Sequence, residues 1–167
     1  MATKDSASNL QFESLKNENA NKDNQDAIDF RNWASERLAN QEGCLFCDDI
    51  TIRQVAENDV AFARTDKHPT SEGHTLIIPK RHVVSYHDLH PYEISKMHEL
   101  MGQVRNELVK KDKTIAGFNV GVNDGKVAGQ SIMHVHMHLI PRRKGDVENP
   151  QGGIRHVIPG KGHYKKG

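Results

Sequence analysis

The sequence predicts an α+β domain, and three features predict it. Short runs rich in apolar and β-branched residues, bounded by turn residues, recur between residues 50 and 140. One long stretch beginning at Pro91 carries apolar residues at helical spacing and needs a sheet to cover. The 167 residues suffice for one compact domain with a real core, with some length left over as a tail. The expected architecture is a mostly antiparallel, meandering sheet of about five strands, one long helix and one or more short ones.

The elements follow in chain order. Residues 1–26 are rich in Asn, Lys, Asp, Glu and Ser, with only scattered Leu10, Phe12 and Leu15. Such a composition buries too little surface to offset the entropy of ordering, so a disordered or loosely ordered extension is expected there. From Asp26 the pattern changes. Ala27, Phe30, Trp33, Ala34 and Leu38 recur at helical spacing with Asp26 placed as N-cap, which predicts an amphipathic helix over 27–39. Ile50 to Val55 and Val60 to Arg64 read as a hairpin around Glu57-Asn58-Asp59, and His74 to Pro79 as a third strand. Pro91 suits the first turn of a helix whose face is Ile94, Met97, Leu100, Met101, Val104 and Leu108. Phe118 to Val122 and Ile132 to Ile140 supply two more strands, linked by Asn123-Asp124-Gly125 and Ala128-Gly129.

Charge excludes some functions. Lys and Arg total 23 against 22 Asp and Glu, a net charge of +1, which carries no global signature of a nucleic-acid binder. The C-terminal end is locally basic, with a tail at 161–167. No apolar run approaches a membrane span, and the N-terminus lacks the apolar core of a signal peptide, so a soluble cytoplasmic protein is expected. The two cysteines, Cys44 and Cys47, are too close to staple the fold, which leaves a metal knuckle or a redox pair. A redox pair needs a thioredoxin-like βαβ setting that the flanking sequence does not offer.

The most informative segment is GQSIMHVHMHLIP, residues 129–141. On a strand, His134, His136 and His138 share one face while Met133, Val135, Met137 and Leu139 share the other. One face is then core and the other a site. Three solvated surface histidines are the bland alternative, and strict period two after a loop of small residues argues against it. A three-histidine catalytic zinc is disfavoured because same-face neighbours on one strand sit about 7 Å apart at the backbone.

HVHMHLI resembles the signature of the histidine-triad (HIT) family, and EGHTLIIPKRHV, NDGKVAGQSIMH and PRRKGD resemble its flanking segments in the same order. The resemblance covers about residues 44–160 and implies a HIT-like fold over 27–160, a homodimer, and nucleotide phosphate chemistry through a covalent histidine. By that resemblance His136 is the nucleophile at the α-phosphorus and His138 hydrogen-bonds the phosphate or leaving-group oxygen. Asn123 and Ser131 match phosphate-binding positions, and His74 a position close to the phosphate. Gly129 and Gln130 match the close backbone approach whose amides point at oxygen. Asp66 matches a ribose-binding position, and reads equally well as a turn residue.

In zinc-containing members a Cys-x-x-Cys knuckle is completed by two histidines, here His82 and the first triad histidine, His134. Cys44, Cys47, His82 and His134 are therefore the expected structural zinc ligands, with His87 as the alternative third. The C-terminal continuation resembles bacterial-type diadenosine polyphosphate hydrolases, so cleavage of dinucleoside polyphosphates is the leading expectation. An AMP-amine phosphoramidase and a non-catalytic nucleotide-binding adaptor are the alternatives. The Met97–Leu108 helix face and the C-terminal segment are the expected dimer surfaces.

Overall fold

The computed structural model describes residues 5–35, 37, 41–48 and 51–163. Residues 1–38 form one compact unit and residues 39–167 another. The first unit is a helix, α1, over Asp5–Ser35. It contains most of the expected 27–39 helix and continues it back through residues whose composition suggested no regular structure. The physical reason is that no Gly occurs before Gly43 and no Pro before Pro69, so nothing in the sequence interrupts a helix. Asp26 is consequently inside the helix and is not its cap. Residues 20–26 are exposed, while Ala27, Phe30 and Ala34 are buried at helical spacing; Leu38 lies outside the described residues.

The second unit begins with the cysteines. A short helix, α2 (Leu45–Asp48), follows Cys44, whose carbonyl accepts from the amides of Cys47 and Asp48 at 2.9 Å each. Five strands then build one antiparallel sheet: β1 (Gln54–Glu57), β2 (Ala61–Thr65), β3 (Thr75–Pro79), β4 (Ile115–Val122) and β5 (Met137–Arg143). The β1–β2 hairpin turns at Asn58, whose Oδ1 accepts from the amides of Val60 and Ala61 while its Nδ2 donates to the Lys96 carbonyl. That last bond pins the turn to the long helix, α3 (Pro91–Lys111). His90 caps α3 reciprocally with Glu93, and Pro91 occupies its first turn as expected.

The sheet order is β1-β2-β3-β5-β4, so the meander holds for three strands and then β5 inserts between β3 and β4. Insertion makes the histidine-bearing strand central and leaves β4 at an edge. α3 packs Met97, Leu100, Met101 and Val104 against β2 and β3, so the helix face expected as a dimer surface is internal core. Alternation along β2 and β3 sends Ala61, Ala63 and Ile77 towards α3 and Phe62, Leu76 and Ile78 to the opposite face. There they cluster with Cys44 and Phe46. The cysteine segment therefore covers the second face of the sheet. Truncating the buried Phe46 to Ala would cost about 3–5 kcal/mol.

Candidate active site and metal centre

The histidine run does not enter the sheet where the sequence suggests. Regular strand begins only at Met137, and His134 and His136 lie on the approach to it. In the β3–β5 register, Met137 faces Ile77, so Val135 comes opposite Pro79, which has no N–H to give to a ladder. The Val135 amide bonds instead to the Val83 carbonyl at 2.7 Å, and the Pro79 carbonyl takes the His134 side chain. Period two survives in the side chains. The rings of His136 and His138 stand 5.1 Å apart, and Phe46 packs edge-on to both His134 and His136.

His134 faces the cysteines. Its Nε2 lies 2.9 Å from the Pro79 carbonyl, which can only accept, so Nε2 carries the proton and Nδ1 presents a lone pair. That Nδ1 is 3.5 Å from Cys44 Sγ and 3.6 Å from Cys47 Sγ, and His82 Nδ1 is 3.4 Å from Cys47 Sγ. All four potential ligand atoms lie within 4.8 Å of one another. Bonds of about 2.3 Å to sulfur and about 2.0–2.1 Å to nitrogen at tetrahedral angles would set S and N about 3.6 Å apart, so the cluster has the size of a zinc site. Burial pushes His134 down to about 4, opposed by its bond to Pro79, and also lowers His82; both favour the neutral imidazole a metal needs. Burial raises the Cys47 thiol, a cost that a bound cation would reverse. Next to His82, the Arg81 guanidinium makes a buried two-point pair with Glu93 at 3.0 and 2.6 Å, fixing the loop to the start of α3. His87 is exposed and stands outside the cluster, which corrects the alternative ligand.

His136 and His138 use their nitrogens differently. His136 Nδ1 donates to the His134 carbonyl at 2.8 Å, leaving Nε2 unprotonated in the neutral ring. The amide of Thr70 donates to His74 Nδ1 at 3.3 Å, so the proton of neutral His74 sits on Nε2. His74 Nε2 is 3.0 Å from His138 Nδ1, which must accept, and His138 therefore carries its proton on Nε2. That Nε2 is buried with no partner among the described residues. Burial first, then the neighbouring His136 and His74, push His138 down to about 4, and burial lowers His74 against the pull of Asp66. A lone pair on His136 thus stands beside an oriented N–H on His138.

The remaining expected residues divide. Asp66 takes the turn role suggested for it, with Oδ1 closing a turn on the His68 amide at 2.8 Å, and its Oδ2 lies 3.5 Å from His74 Nδ1. Asn123 lines a cavity of about 600 Å³ together with His74 and His138. Ser131 is exposed on the loop entering the histidine run. Gly129 and Gln130 do not aim amides at a ligand, since those amides donate to the carbonyls of Lys126 and Gly125. Their role is to shape the loop. Gly129 has φ 91°, and the Gln130 side chain staples Gly125 N to the Val84 carbonyl at 2.8 and 2.7 Å. Sequence reasoning missed Thr70, Phe46 and the Asp124 carboxylate that accepts from Ser85 Oγ and Tyr86 N. Only Asp124, in its Asn-Asp-Gly turn, carried a usable local signal.

A family model described as the HIT domain matches residues 48–145, and the chain belongs to that family. It is 39% identical over 104 residues to an adenosine 5'-monophosphoramidase of Saccharomyces cerevisiae, covering 60% of this chain and 63% of that one. An adenylylsulfatase of Arabidopsis thaliana is 36% identical over 110 residues, covering 64% of this chain and 55% of that protein. A zinc-bound histidine-triad protein from Mycobacterium smegmatis superposes with a TM-score of 0.58 at 31% identity, covering 62% of this chain and 78% of that one.

Proposed function

We propose that this HIT-family protein is a hydrolase of nucleotide conjugates, breaking the bond between an α-phosphorus and its leaving group through a nucleotidyl-His136 intermediate. The observation that carries the reading is the pair of oppositely oriented imidazoles, His136 with Nε2 free and His138 with Nε2–H unpartnered among the described residues. His136 Nε2 attacks phosphorus as the bond to the leaving group breaks, and His138 Nε2–H stabilises the charge that develops. The leaving group departs with a proton drawn from solvent, and water then cleaves the P–N bond, its hydroxyl going to phosphorus and its proton returning to solvent. A non-catalytic adaptor has no use for this arrangement.

AMP phosphoramidates and related mixed anhydrides suit the site better than the dinucleoside polyphosphates suggested by the C-terminal sequence. Among the described residues, those lining the cavity beside His138 include no Lys or Arg, whereas a polyphosphate chain calls for cations. Relatives named as a phosphoramidase and an adenylylsulfatase support the same choice. Purified protein offered an AMP-amine conjugate and a diadenosine polyphosphate side by side should turn over the first faster. Faster loss of the polyphosphate would reverse the assignment, and AMP binding without any turnover would leave the adaptor.

Zinc is the metal we assign to Cys44, Cys47, His82 and His134, since two thiolates and two imidazoles at tetrahedral spacing are its usual structural set. There it would tie α2 to the loop after β3 and to the histidine run, and would hold His134, whose carbonyl orients His136. We also propose a homodimer. The unpaired edge of the eight-residue β4 is a surface that a second copy would satisfy, with the C-terminal segment beside it.

A further inference from the structure

We infer that Asn119 is a specificity residue for the leaving group, donating from Nδ2 to an acceptor oxygen on the departing part of the substrate, with Arg142 and Asp146 as the positioning residues that fix its amide. This rests on the hydrolase reading above and extends it from the scissile bond to the group that leaves.

Asn119 pairs with Ile140 across the β4–β5 ladder, two positions from Gly121, which faces His138. Asn119 and His138 therefore share one sheet face, about 7–8 Å apart on the diagonal, and both line the same cavity. An asparagine amide in such a place could turn either end to a ligand. Here Arg142 decides which. Its Nε and one terminal nitrogen grip both oxygens of Asp146 at 2.7 and 2.9 Å, and its other terminal nitrogen donates to Asn119 Oδ1 at 2.5 Å. A guanidinium cannot accept, so the Asn119 oxygen is held towards Arg142 and its NH2 is left for the other side. The Arg143 amide, at 2.9 Å from Asp146 Oδ2, holds that carboxylate in place.

Asn119 also lines the cavity that His74 and His138 line. A Cβ built on Gly153 would come within 3.4 Å of Asn119 Nδ2, and one on Gly121 within 3.1 Å of Ile154 Cδ1. The turn Gly153–Val157 thus closes over Asn119 and the point opposite His138, and it does so with apolar side chains, Ile154 and Val157. The result is a pocket with apolar walls, Asn119 at one end and His138 at the other. Such a pocket selects a leaving group that combines apolar surface with one carbonyl, carboxylate or sulfate oxygen at reach of Asn119, over one that lacks an acceptor there.

The experiment compares two AMP phosphoramidates, one made with an amino-acid amine whose carboxylate can reach Asn119 and one made with the corresponding decarboxylated amine. The readout is the ratio of their kcat/KM values. Asn119→Ala should lower that ratio roughly 3- to 10-fold, the worth of one hydrogen bond. Asn119→Asp, which puts a carboxylate where the NH2 stood, should lower it further. Arg142→Met should lower it in the same direction by releasing the amide, and Arg142→Lys should restore part of the loss. Equal losses on both substrates, or an unchanged ratio in Asn119→Ala, would overturn the assignment. The same ratio read as dissociation constants in a His136→Ala background gives an answer even if the wild-type protein hydrolyses neither compound. In that case the hydrolase reading fails on its own, while selectivity for the acceptor still stands or falls with Asn119.

Discussion

His134 and His138 lie four residues apart, both are pushed down to about 4 by burial, and each is a neutral imidazole at neutral pH, yet they present opposite edges to their surroundings. In His134 a carbonyl takes the proton of Nε2, and the bare Nδ1 faces two thiols. In His138 a neighbouring histidine occupies Nδ1, and the N–H is left at Nε2. Ring chemistry is the same and burial lowers both, so the difference comes from which nitrogen the local hydrogen bond claims. On the proposed reading one becomes a metal ligand and the other a donor to substrate. Between them His136, oriented by the His134 backbone, joins the two halves.

Breaking the catalytic half without touching the metal half should have the largest effect. His136→Ala should reduce turnover by on the order of 10⁴-fold or more while metal content, measured by atomic emission, stays at one equivalent. Breaking the metal half should act through structure. Cys47→Ala should lose the metal and several kcal/mol of stability, seen as a lowered melting temperature, with turnover falling as a consequence. Retention of metal and melting temperature in that variant would separate Cys47 from the site.

Disturbing only the tautomer of His138 should be milder. His74→Ala removes the bond that fixes the His138 proton and should lower kcat by roughly 10- to 100-fold, with KM little changed. The same pair predicts a pH effect. Folded His138 titrates near 4 against an ordinary 6.5, so between those values the unfolded chain binds more protons. Its contribution to stability is complete above pH 6.5 and is lost as pH falls towards 4. Denaturant midpoints of the metal-loaded protein should decline across that window more steeply than those of His138→Asn. The smallest effect belongs to the loop: Gln130→Ala should cost about 1–2 kcal/mol by removing the staple between Gly125 and Val84, with a modest loss of activity.

Local pattern carried a large part of this architecture. The β1–β2 hairpin, β3 and the start of α3 at Pro91 were legible because each is written in contiguous residues, and the pairing of Cys44 and Cys47 with His82 and His134 was expected from the family resemblance. The place of β5 was not, since insertion between β3 and β4 is decided by packing between segments distant in sequence. Strand character at Ile132 to Val135 was overestimated for a related reason: the missing N–H of Pro79, more than 50 residues away, ends the ladder there. Helix over residues 5–26 was missed because a polar composition was weighed against burial alone, when the run also lacks any residue that breaks a helix. The tautomers of the four site histidines depend on the carbonyls of Pro79 and His134, the amide of Thr70 and the ring of His74, and no motif encodes those partners.

On the proposed reading alternate histidines divide the work, with His136 forming the covalent bond and His134 holding metal. Rapid quenching of turnover at alkaline pH, followed by peptide mass spectrometry, tests it most directly, because a phosphoramidate on histidine survives base. A nucleotidyl group is expected on His136 alone, in protein that still carries its metal. A nucleotidyl group on His134 or His138, or full-rate turnover in His136→Ala, would contradict it.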